Sequence, residues 1–248
     1  MEPIILIPAR MASQRLANKP LQMIHGEPMI VHVWRRAMQA NAGDVVVACD
    51  DDRIAQAIRD QGGRAILTDP NYPSGSDRIW AALEEIDPSN KYDVVINLQG
   101  DLPDLSPGLL KKVLKPLEDE SVDIGTLGVV FDKVEDRKDP NQVKIILSKH
   151  KNGTSGRALY FTRADAPYGA DEAYYHIGIY AYRRPALAKY ISLPVSHLER
   201  SEKLEQLRAL EAGMRIDVEI VHEKPVGVDT PEDLERARQS LSPNKVKS

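Results

Sequence analysis

The sequence predicts an α/β fold: an open, mostly parallel β-sheet flanked by helices, with a smaller β-rich lobe. Unbroken apolar runs at residues 4–7 and 45–48 are typical of strands buried on both faces of a parallel sheet. Helical segments alternate with these runs through short connections, which favours right-handed strand–helix–strand crossovers. After residue 124 strand-like segments follow one another, and this change indicates the β-rich lobe.

The first half of the chain alternates strands with helices. Strands are predicted at residues 4–7, 45–48, 65–67 and 94–98, and helices at 28–40, 51–61 and 76–86. Pro28 suits the start of the first helix, and the second begins at Asp51 and stops at Gly62-Gly63. These are the residue types expected at helix ends.

The second half is predicted to contain strands at 143–147, 158–161, 174–182 and 216–221. One long helix is expected at 196–211, because Ser196 and Glu199 form a capping-box pattern and leucines recur on one face. The last helix begins with Thr230 as N-cap and Pro231 in the first turn. We therefore expect a single domain over 1–241, which includes a β-rich lobe at about 124–185, and a flexible tail at 242–248.

Composition excludes several functional classes. The chain has 33 basic and 37 acidic residues and a formal charge of −4, which argues against a nucleic-acid partner. The single cysteine, Cys49, rules out an intrachain disulfide and a cysteine-based zinc site. No apolar run approaches membrane-spanning length, and the N-terminus lacks the basic region of a signal peptide. We therefore expect a soluble, cytoplasmic protein with no membrane partner.

The loop after the first strand is the most informative segment. Residues 3–26 contain no Asp or Glu, and the loop carries the cations Arg10, Arg15 and Lys19. A loop that follows a parallel strand lies at the carboxyl edge of the sheet, where α/β proteins bind ligands. Three cations without a neutralising acid predict a polyanionic ligand, most simply a phosphate chain.

The common phosphate-binding and hydrolytic motifs are missing. The sequence has no G-x-G-x-x-G after the first strand, no G-x-x-x-x-G-K-[ST] and no G-x-S-x-G. These absences disfavour a standard dinucleotide site, a Walker-type NTPase and an α/β-hydrolase.

Two aspartates are candidate metal ligands. Asp101 directly follows the strand at 94–98, so its carboxylate is expected in the same crevice as Arg10. Asp229 precedes the last helix, and because Thr230 fills the N-cap position, Asp229 is left for another task. Magnesium is usually held by one or two carboxylates and by phosphate oxygens, so the two could hold Mg²⁺ over a triphosphate.

Six ordered motifs together resemble the sugar-acid cytidylyltransferases and, within them, the 3-deoxy-manno-octulosonate (Kdo) cytidylyltransferases. They are IPARMASQRL with KPL at 7–21, PSGSDR at 73–78, QGD at 99–101, HIGIY at 176–180, LEQLR at 204–208 and GVDTPED at 227–233. The resemblance runs from about residue 4 to 238, nearly the whole chain.

The resemblance implies a nucleotide-diphospho-sugar transferase-like fold and transfer of CMP from CTP to Kdo, with Mg²⁺ as cofactor. It further implies a cytoplasmic homodimer that serves lipopolysaccharide biosynthesis, with the β-rich lobe at about 124–185 as the dimerisation lobe. The implied nucleotide-binding residues are Ala9, Arg10, Ser13, Arg15, Lys19, Ser74, Gly75, Asp77, Arg78 and Gln99. The implied sugar-binding residues are Arg157, His176, Glu205 and Gln206, and the implied metal ligands are Asp101 and Asp229. Arg10, Lys19, Asp101 and Asp229 are the implied catalytic group.

Two alternatives remain at this point. The acceptor could be another 2-keto sugar acid, such as 8-amino-Kdo or a sialic acid, although the motifs at 176–180 and 204–208 favour Kdo. The chain could also be a non-catalytic nucleotide-binding regulator, which would not need two metal carboxylates. One departure from the family pattern is Leu102, where family members commonly have Glu. Alternation along an extended segment predicts that Leu102 points away from the cleft that Asp101 faces.

Overall fold

The computed structural model confirms the α/β class and describes residues 1–12, 15–133, 135–151 and 153–242. The strands are β1 (Pro3–Ala9), β2 (Met23–Ile24), β3 (Glu27–Pro28), β4 (Asp44–Cys49), β5 (Arg64–Leu67), β6 (Val94–Asn97), β7 (Ile124–Val130), β8 (Lys144–Lys149), β9 (Ser155–Thr162), β10 (Tyr174–Arg183) and β11 (Ile216–Val221). The helices are α1 (Met29–Ala40), α2 (Asp52–Arg59), α3 (Gly75–Ile86), α4 (Gly108–Lys112), α5 (Arg184–Ser192), α6 (His197–Glu202), α7 (Gln206–Glu211) and α8 (Pro231–Ser240). In the described ranges, no helix combines the length and hydrophobicity that a bilayer crossing requires.

The chain forms two compact units. Unit 1 contains Met1–Leu110 and the chain from Pro225 onward, and unit 2 contains Lys111–Lys224. The predicted β-rich lobe at 124–185 falls inside unit 2, but unit 2 extends further at both ends. The assignment of 1–241 to one domain, with dimerisation through that lobe, stays a prediction. Of the predicted tail, residues 243–248 lie outside the described part of the chain.

Unit 1 has the parallel sheet that the sequence predicts. Its strand order is β5-β4-β1-β6, and every neighbouring pair is parallel. The residues at positions 4–7 of β1 are completely buried, as their unbroken apolar run indicates for a central strand. The loops after β1 and β6 therefore leave the same edge of this sheet.

Unit 2 corrects the expectation of an open, mostly parallel sheet. Its strand order is β10-β7-β11-β9-β8, and β8 also pairs with β10, so these five strands close into a ring. Only β7 and β11 run parallel in this unit; the other pairs are antiparallel. The physical reason is that β8 and β9 are consecutive strands joined by a short turn and pair antiparallel, and β10 then pairs antiparallel with β8 and β7. The protein's sheet structure is therefore mixed.

The prediction of a single helix at 196–211 is wrong. The chain instead forms α6 and α7, separated at Lys203, whose φ of 56° is left-handed. The predicted capping box is present at the start of α6, between Ser196 and Glu199. A left-handed residue cannot continue a right-handed helix, so α7 starts in a new direction.

Candidate functional site

A cavity of unit 1 has a volume of about 630 Å³, within the usual range for small-molecule sites. It opens where β1 and β6 end, the edge at which parallel sheets bind ligands. Seven of the predicted site residues line it: Ala9, Arg10, Arg15, Lys19, Gln99, Asp101 and Asp229. The cationic loop and the two aspartates therefore share one cavity, as the sequence predicts.

Backbone and core contacts bring Asp229 to this cavity from the far end of the sequence. The Val228 amide N–H donates to the carbonyl oxygen of Asp101 at 2.9 Å, which places the following residue, Asp229, beside Asp101. Val228 is also buried with Leu16 of the cationic loop and Leu234 of α8 in one apolar cluster. Burial of these side chains holds the loop and the start of α8 together.

Gly100 allows the loop after β6 to lie close to β1. A Cβ atom at this position would lie 2.9 Å from the carbonyl oxygen of Pro8, closer than real Cβ atoms approach backbone. Any larger residue would push the loop, and Asp101 with it, away from β1. Glycine is therefore required here by close packing of the main chain.

The Lys19 ammonium is the centre of the charge network in the cavity. Its Nζ donates to Asp101 Oδ2 at 2.8 Å and to Asp229 Oδ1 at 3.0 Å. Burial alone would lower the pKa of Lys19, but the two carboxylates outweigh it and raise that pKa above its ordinary value. Arg15 Nη2 lies 3.1 Å from the other oxygen of Asp229. Two cations thus neutralise two carboxylates.

The Asp229 side chain is not the cap of α8. Asp233 does that work: its Oδ2 accepts from the main-chain N–H of Asp229 at 3.0 Å and of Thr230 at 2.9 Å. Thr230 accepts in turn from the Asp233 amide, which completes a capping box. The prediction that Thr230 caps the helix is confirmed, and the role of Asp229 as a metal ligand stays a prediction.

The segment predicted to bind the nucleotide at 74–78 lies at the start of α3, and its residues do not line the cavity described above. Ser74 caps α3 by accepting from the Asp77 amide, and its hydroxyl donates to the Asp77 carboxylate at 2.6 Å. Gly75 lies against the ring of Pro8. The nucleotide-binding roles of these residues stay predictions.

Arg78 is the predicted nucleotide-binding residue whose placement differs most from expectation. Its side chain is only 2% exposed, and it faces Asp50 and the hydroxyl of Thr68. Asp50 also accepts from the Met11 amide at 2.9 Å, inside the cationic loop. Asp50 was missed by sequence reasoning, because nothing in the local pattern shows that a carboxylate after β4 will hold a loop that follows β1. Arg78 thus pairs with the carboxylate that holds the cationic loop at Met11, so it contacts the loop indirectly, through Asp50.

Leu102 occupies the position that the sequence predicts for it. It is 8% exposed, does not line the cavity, and lies beside Gly227. Asp101, its neighbour, faces the cavity. The expected alternation of the two side chains is confirmed.

The predicted sugar-binding residues all lie in unit 2. His176 on β10 is buried, and its Nε2 lies 3.1 Å from Thr126 Oγ1. The Thr126 hydroxyl has its shortest bond, 2.8 Å, to the Ile179 carbonyl, so the hydroxyl donates there and accepts from His176 Nε2–H. Burial lowers the pKa of His176 to about 3. The imidazole is therefore neutral at pH 7, with Nδ1 as an acceptor.

A row of aromatic rings connects His176 to α7. Ring centroids of successive neighbours are 4.9 to 6.0 Å apart along Phe161, His176, Tyr180, Tyr182 and Tyr190. At the end of the row, the Tyr190 hydroxyl donates to the carbonyl oxygen of Glu205 at 3.3 Å. The structure thus joins His176 and Glu205 through one packed network.

Gln206, another of the predicted sugar-binding residues, is the first residue of α7. It is buried, and its Nε2 has no hydrogen-bond partner among the described residues. A buried amide with an unused donor is costly unless a ligand or water pairs with it. Arg157, by contrast, lies exposed on β9, and Ser13 lies outside the described residues.

Among the described residues, no three or more His, Cys, Asp or Glu side chains lie close enough together to hold a metal ion. Asp101 and Asp229 are the two oxygen donors that converge in the cavity, and they do so on a positive charge. Two carboxylates suit a hard cation such as Mg²⁺, which takes its remaining ligands from phosphate and water.

Comparison with known proteins identifies the family. The family model described as cytidylyltransferase matches residues 4–216. A 3-deoxy-manno-octulosonate cytidylyltransferase of Methylorubrum populi is 58% identical over 242 residues, with 97% of each chain covered. One of the same name from Paramagnetospirillum magneticum is 52% identical over 241 residues, covering 97% of this chain and 98% of that one.

A solved structure of a CMP:2-keto-3-deoxy-manno-octonic acid synthetase complexed with CTP superposes with a TM-score of 0.89. It is 38% identical, with 96% of this chain and 98% of that chain covered. A cytidylyltransferase of Leptospira borgpetersenii, 16% identical with a TM-score of 0.61, shows likeness of fold alone; the match covers 96% of this chain and 85% of that one. The chain therefore belongs to the cytidylyltransferase family and, within it, to the 3-deoxy-manno-octulosonate cytidylyltransferases.

Proposed function

We propose that this chain transfers CMP from CTP to Kdo and releases pyrophosphate. The observation that carries this function is the cavity of unit 1, where Arg10, Arg15 and Lys19 stand beside Asp101 and Asp229. Cationic side chains bind phosphate oxygens, and carboxylates hold the metal that accompanies a triphosphate. The relatives named above act on Kdo by their names, and one of them was solved with CTP.

The transfer forms a bond between the anomeric oxygen of Kdo and the α-phosphorus of CTP. The bond from that phosphorus to the oxygen bridging to the β-phosphorus breaks, pyrophosphate leaves, and the hydroxyl proton passes to solvent. Such a step needs no covalent bond to the protein, so positioning and charge stabilisation provide most of the rate. Arg10, Arg15 and Lys19 would bind the phosphates and stabilise the charge on the leaving pyrophosphate.

Magnesium is the cofactor that we propose, held by Asp101 and Asp229. Their carboxylates fit a cation because both already bind one, the Lys19 ammonium, at 2.8 and 3.0 Å. When bound, Mg²⁺ supplies neutralisation of phosphoryl charge and favours ionisation of the acceptor hydroxyl. The chain's own contribution is to hold the two carboxylates together through the backbone bond from Val228 to Asp101.

We assign the sugar acid to Arg157, His176, Glu205 and Gln206 of unit 2. A sugar acid carries many hydroxyl groups and one carboxylate, so its site needs neutral donors, neutral acceptors and a cation. The unused donor of Gln206 and the neutral imidazole of His176 provide the first two. The exposed guanidinium of Arg157 is suited to a carboxylate.

The direct test is pyrophosphate release by the purified protein with CTP, Kdo and Mg²⁺. We expect release only when all three are present, and formation of CMP-Kdo in equal amount. Parallel reactions with 8-amino-Kdo, a sialic acid and an ordinary aldose identify the acceptor. Full turnover in excess EDTA, or equal turnover with the aldose, would contradict the proposal. CTP binding without pyrophosphate release in the presence of any of these acceptors would favour a non-catalytic regulator.

We further propose that the enzyme works in the cytoplasm as a homodimer and supplies lipopolysaccharide biosynthesis. Kdo transfer supports the last point, since an activated sugar acid is a donor for glycan assembly. The homodimer is what the family resemblance implies, and Leu159 of β9, a large apolar side chain that is 55% exposed, is available for a subunit contact. Sedimentation velocity tests the assembly: a dimer is expected, and a monomer at working concentrations contradicts it.

A further inference from the structure

Lys19 is expected to bind the nucleotide phosphates, yet in this structure its ammonium is engaged elsewhere. Two of its three N–H bonds point to Asp101 and Asp229. The side chain is only 17% exposed, so these bonds are partly shielded from water. An ammonium held in this way has one N–H left for any other acceptor.

Lys19 and Arg15 do not contribute equally to neutralising Asp101 and Asp229. Arg15 also pairs with Asp229, but the Arg15 side chain is 65% exposed, and exposed ion pairs contribute little. Lys19 is shielded and contacts both carboxylates, so it is the main compensating charge for them. Without it, two carboxylates would lie together with little compensation, which is unfavourable.

A divalent cation and the Lys19 ammonium thus require the same two oxygen donors. Mg²⁺ takes carboxylate oxygens as ligands, and a carboxylate oxygen already bonded to an ammonium is a poorer ligand because its charge is partly neutralised. Binding of the metal must therefore overcome the bonds that Lys19 makes. Release of those bonds, in turn, makes Lys19 available to phosphate oxygens.

We propose that Lys19 is a resident counter-cation that competes with the divalent metal for Asp101 and Asp229, so that metal binding releases Lys19 for the nucleotide. Lys19 then has two sets of acceptors in succession: the carboxylates of Asp101 and Asp229 before the metal binds, and the nucleotide phosphates afterwards. This role makes metal binding weak until a nucleotide is present. The inference rests on the proposed function only in taking the two aspartates as the metal ligands.

The test measures metal binding directly in nucleotide-free protein, with Mn²⁺ as the probe and its electron paramagnetic resonance signal as the readout. Removal of the competing ammonium in Lys19→Met should tighten Mn²⁺ binding by about tenfold or more. Lys19→Arg, which keeps the charge, should stay much closer to the wild type. Arg10→Met is the matched control, because Arg10 lines the same cavity without an ion pair to either aspartate in the described ranges.

Three results would overturn the proposal. Lys19→Met could remain folded, by near-ultraviolet circular dichroism, and bind Mn²⁺ no more tightly than the wild type. Arg10→Met could give the same gain, which would reduce the effect to net charge in the cavity. The gain could also survive in Lys19→Met/Asp229→Asn, which would place the metal elsewhere. Because none of these measurements uses turnover, failure here is distinct from a wild-type protein that does not transfer CMP.

Discussion

Glu199 and Arg208 form a buried ion pair across the break between α6 and α7. Arg208 Nε and Nη2 donate to the two carboxylate oxygens at 2.8 and 2.6 Å, and the guanidinium carbon lies 4.9 Å from the ring centre of Tyr190. The two residues are nine positions apart in the sequence, which in a continuous helix would place them about 180° apart, on opposite faces. The left-handed Lys203 is what allows them to meet.

This pair positions the chain around Glu205 and Gln206, so breaking it should affect the sugar acid more than the nucleotide. Glu199→Gln and Arg208→Met should each lower the free energy of unfolding by about 3–5 kcal/mol, the usual cost of leaving one buried charge unpaired. In variants that remain folded, we expect a higher KM for Kdo with little change in KM for CTP. Equal changes in both KM values would indicate a general loss of structure.

Substitution of the two proposed metal ligands should remove activity without unfolding the protein. Asp101→Asn and Asp229→Asn should each lower kcat by at least about a hundredfold, since an amide is a poor magnesium ligand. Asp233→Asn is the matched control, because Asp233 caps α8 and does not line the cavity. Asp233→Asn should lower the melting temperature and leave kcat close to the wild-type value. Near-normal kcat in Asp229→Asn would contradict the role given to Asp229.

The two units should divide the substrates between them in kinetic experiments. Arg10→Ala and Arg15→Ala should each lower kcat/KM for CTP, at a cost of roughly 1.5–3 kcal/mol for every charge-assisted hydrogen bond that is lost. Gln206→Ala should mainly raise KM for Kdo, because it removes the buried amide donor. Initial rates with one substrate varied at a time check both expectations. Effects on the opposite substrates would contradict the division.

Neutral His176 should make the protein less stable in acid. Its pKa is lowered by burial to about 3 in the folded state, whereas an unfolded histidine titrates near its ordinary value, about 6.5. Between these two pKa values His176 is protonated in the unfolded chain but not in the folded protein, so protonation favours unfolding. His176 therefore does not reduce the free energy of unfolding above pH 6.5, and below that pH it lowers it by about 1.4 kcal/mol per pH unit.

Melting temperatures from pH 7.5 to 5 test this dependence. We expect a shallower slope in His176→Gln than in the wild type. His222→Gln, at an exposed histidine, is the control and should follow the wild-type slope. Parallel curves for His176→Gln and the wild type would show that the histidine does not carry the effect.

Leu102→Glu should place a carboxylate next to Asp101 without creating a metal ligand. Because Leu102 is buried away from the cavity, we expect kcat to change by less than about tenfold, or 1.4 kcal/mol. The melting temperature should fall, since the new carboxylate is placed against apolar neighbours. Tighter Mn²⁺ binding at an unchanged melting temperature would show that residue 102 reaches the metal.

Local patterns were sufficient where the structure depends on local interactions. The apolar run of β1 predicts its burial, and Thr230 with Pro231 predicts the start of α8, because sheet position and capping act over a few residues. The cavity could also be predicted in outline, since Asp101 and the cationic loop each follow a parallel strand.

Long-range pairings were beyond such patterns. The break at Lys203 has no glycine or proline to mark it, and it is accompanied by an ion pair that helical periodicity would forbid. The pairing of β8 with β10 depends on the register of strands that local alternation does not specify. The contact between Asp50 and Met11 joins loops after two different strands, so it too follows only from the folded chain.

The discontinuous path of unit 1 has a consequence for the order in which the protein matures during translation. All of unit 2 is synthesised after Lys19 and Asp101 but before Asp229. While the ribosome is still adding unit 2, the cluster around Leu16 lacks Val228, Leu234 and Ala237, and the Lys19 ammonium lacks its second carboxylate. The cavity can therefore be completed only after α8 has emerged from the exit tunnel, so each newly made molecule assembles it after all of unit 2 has been synthesised.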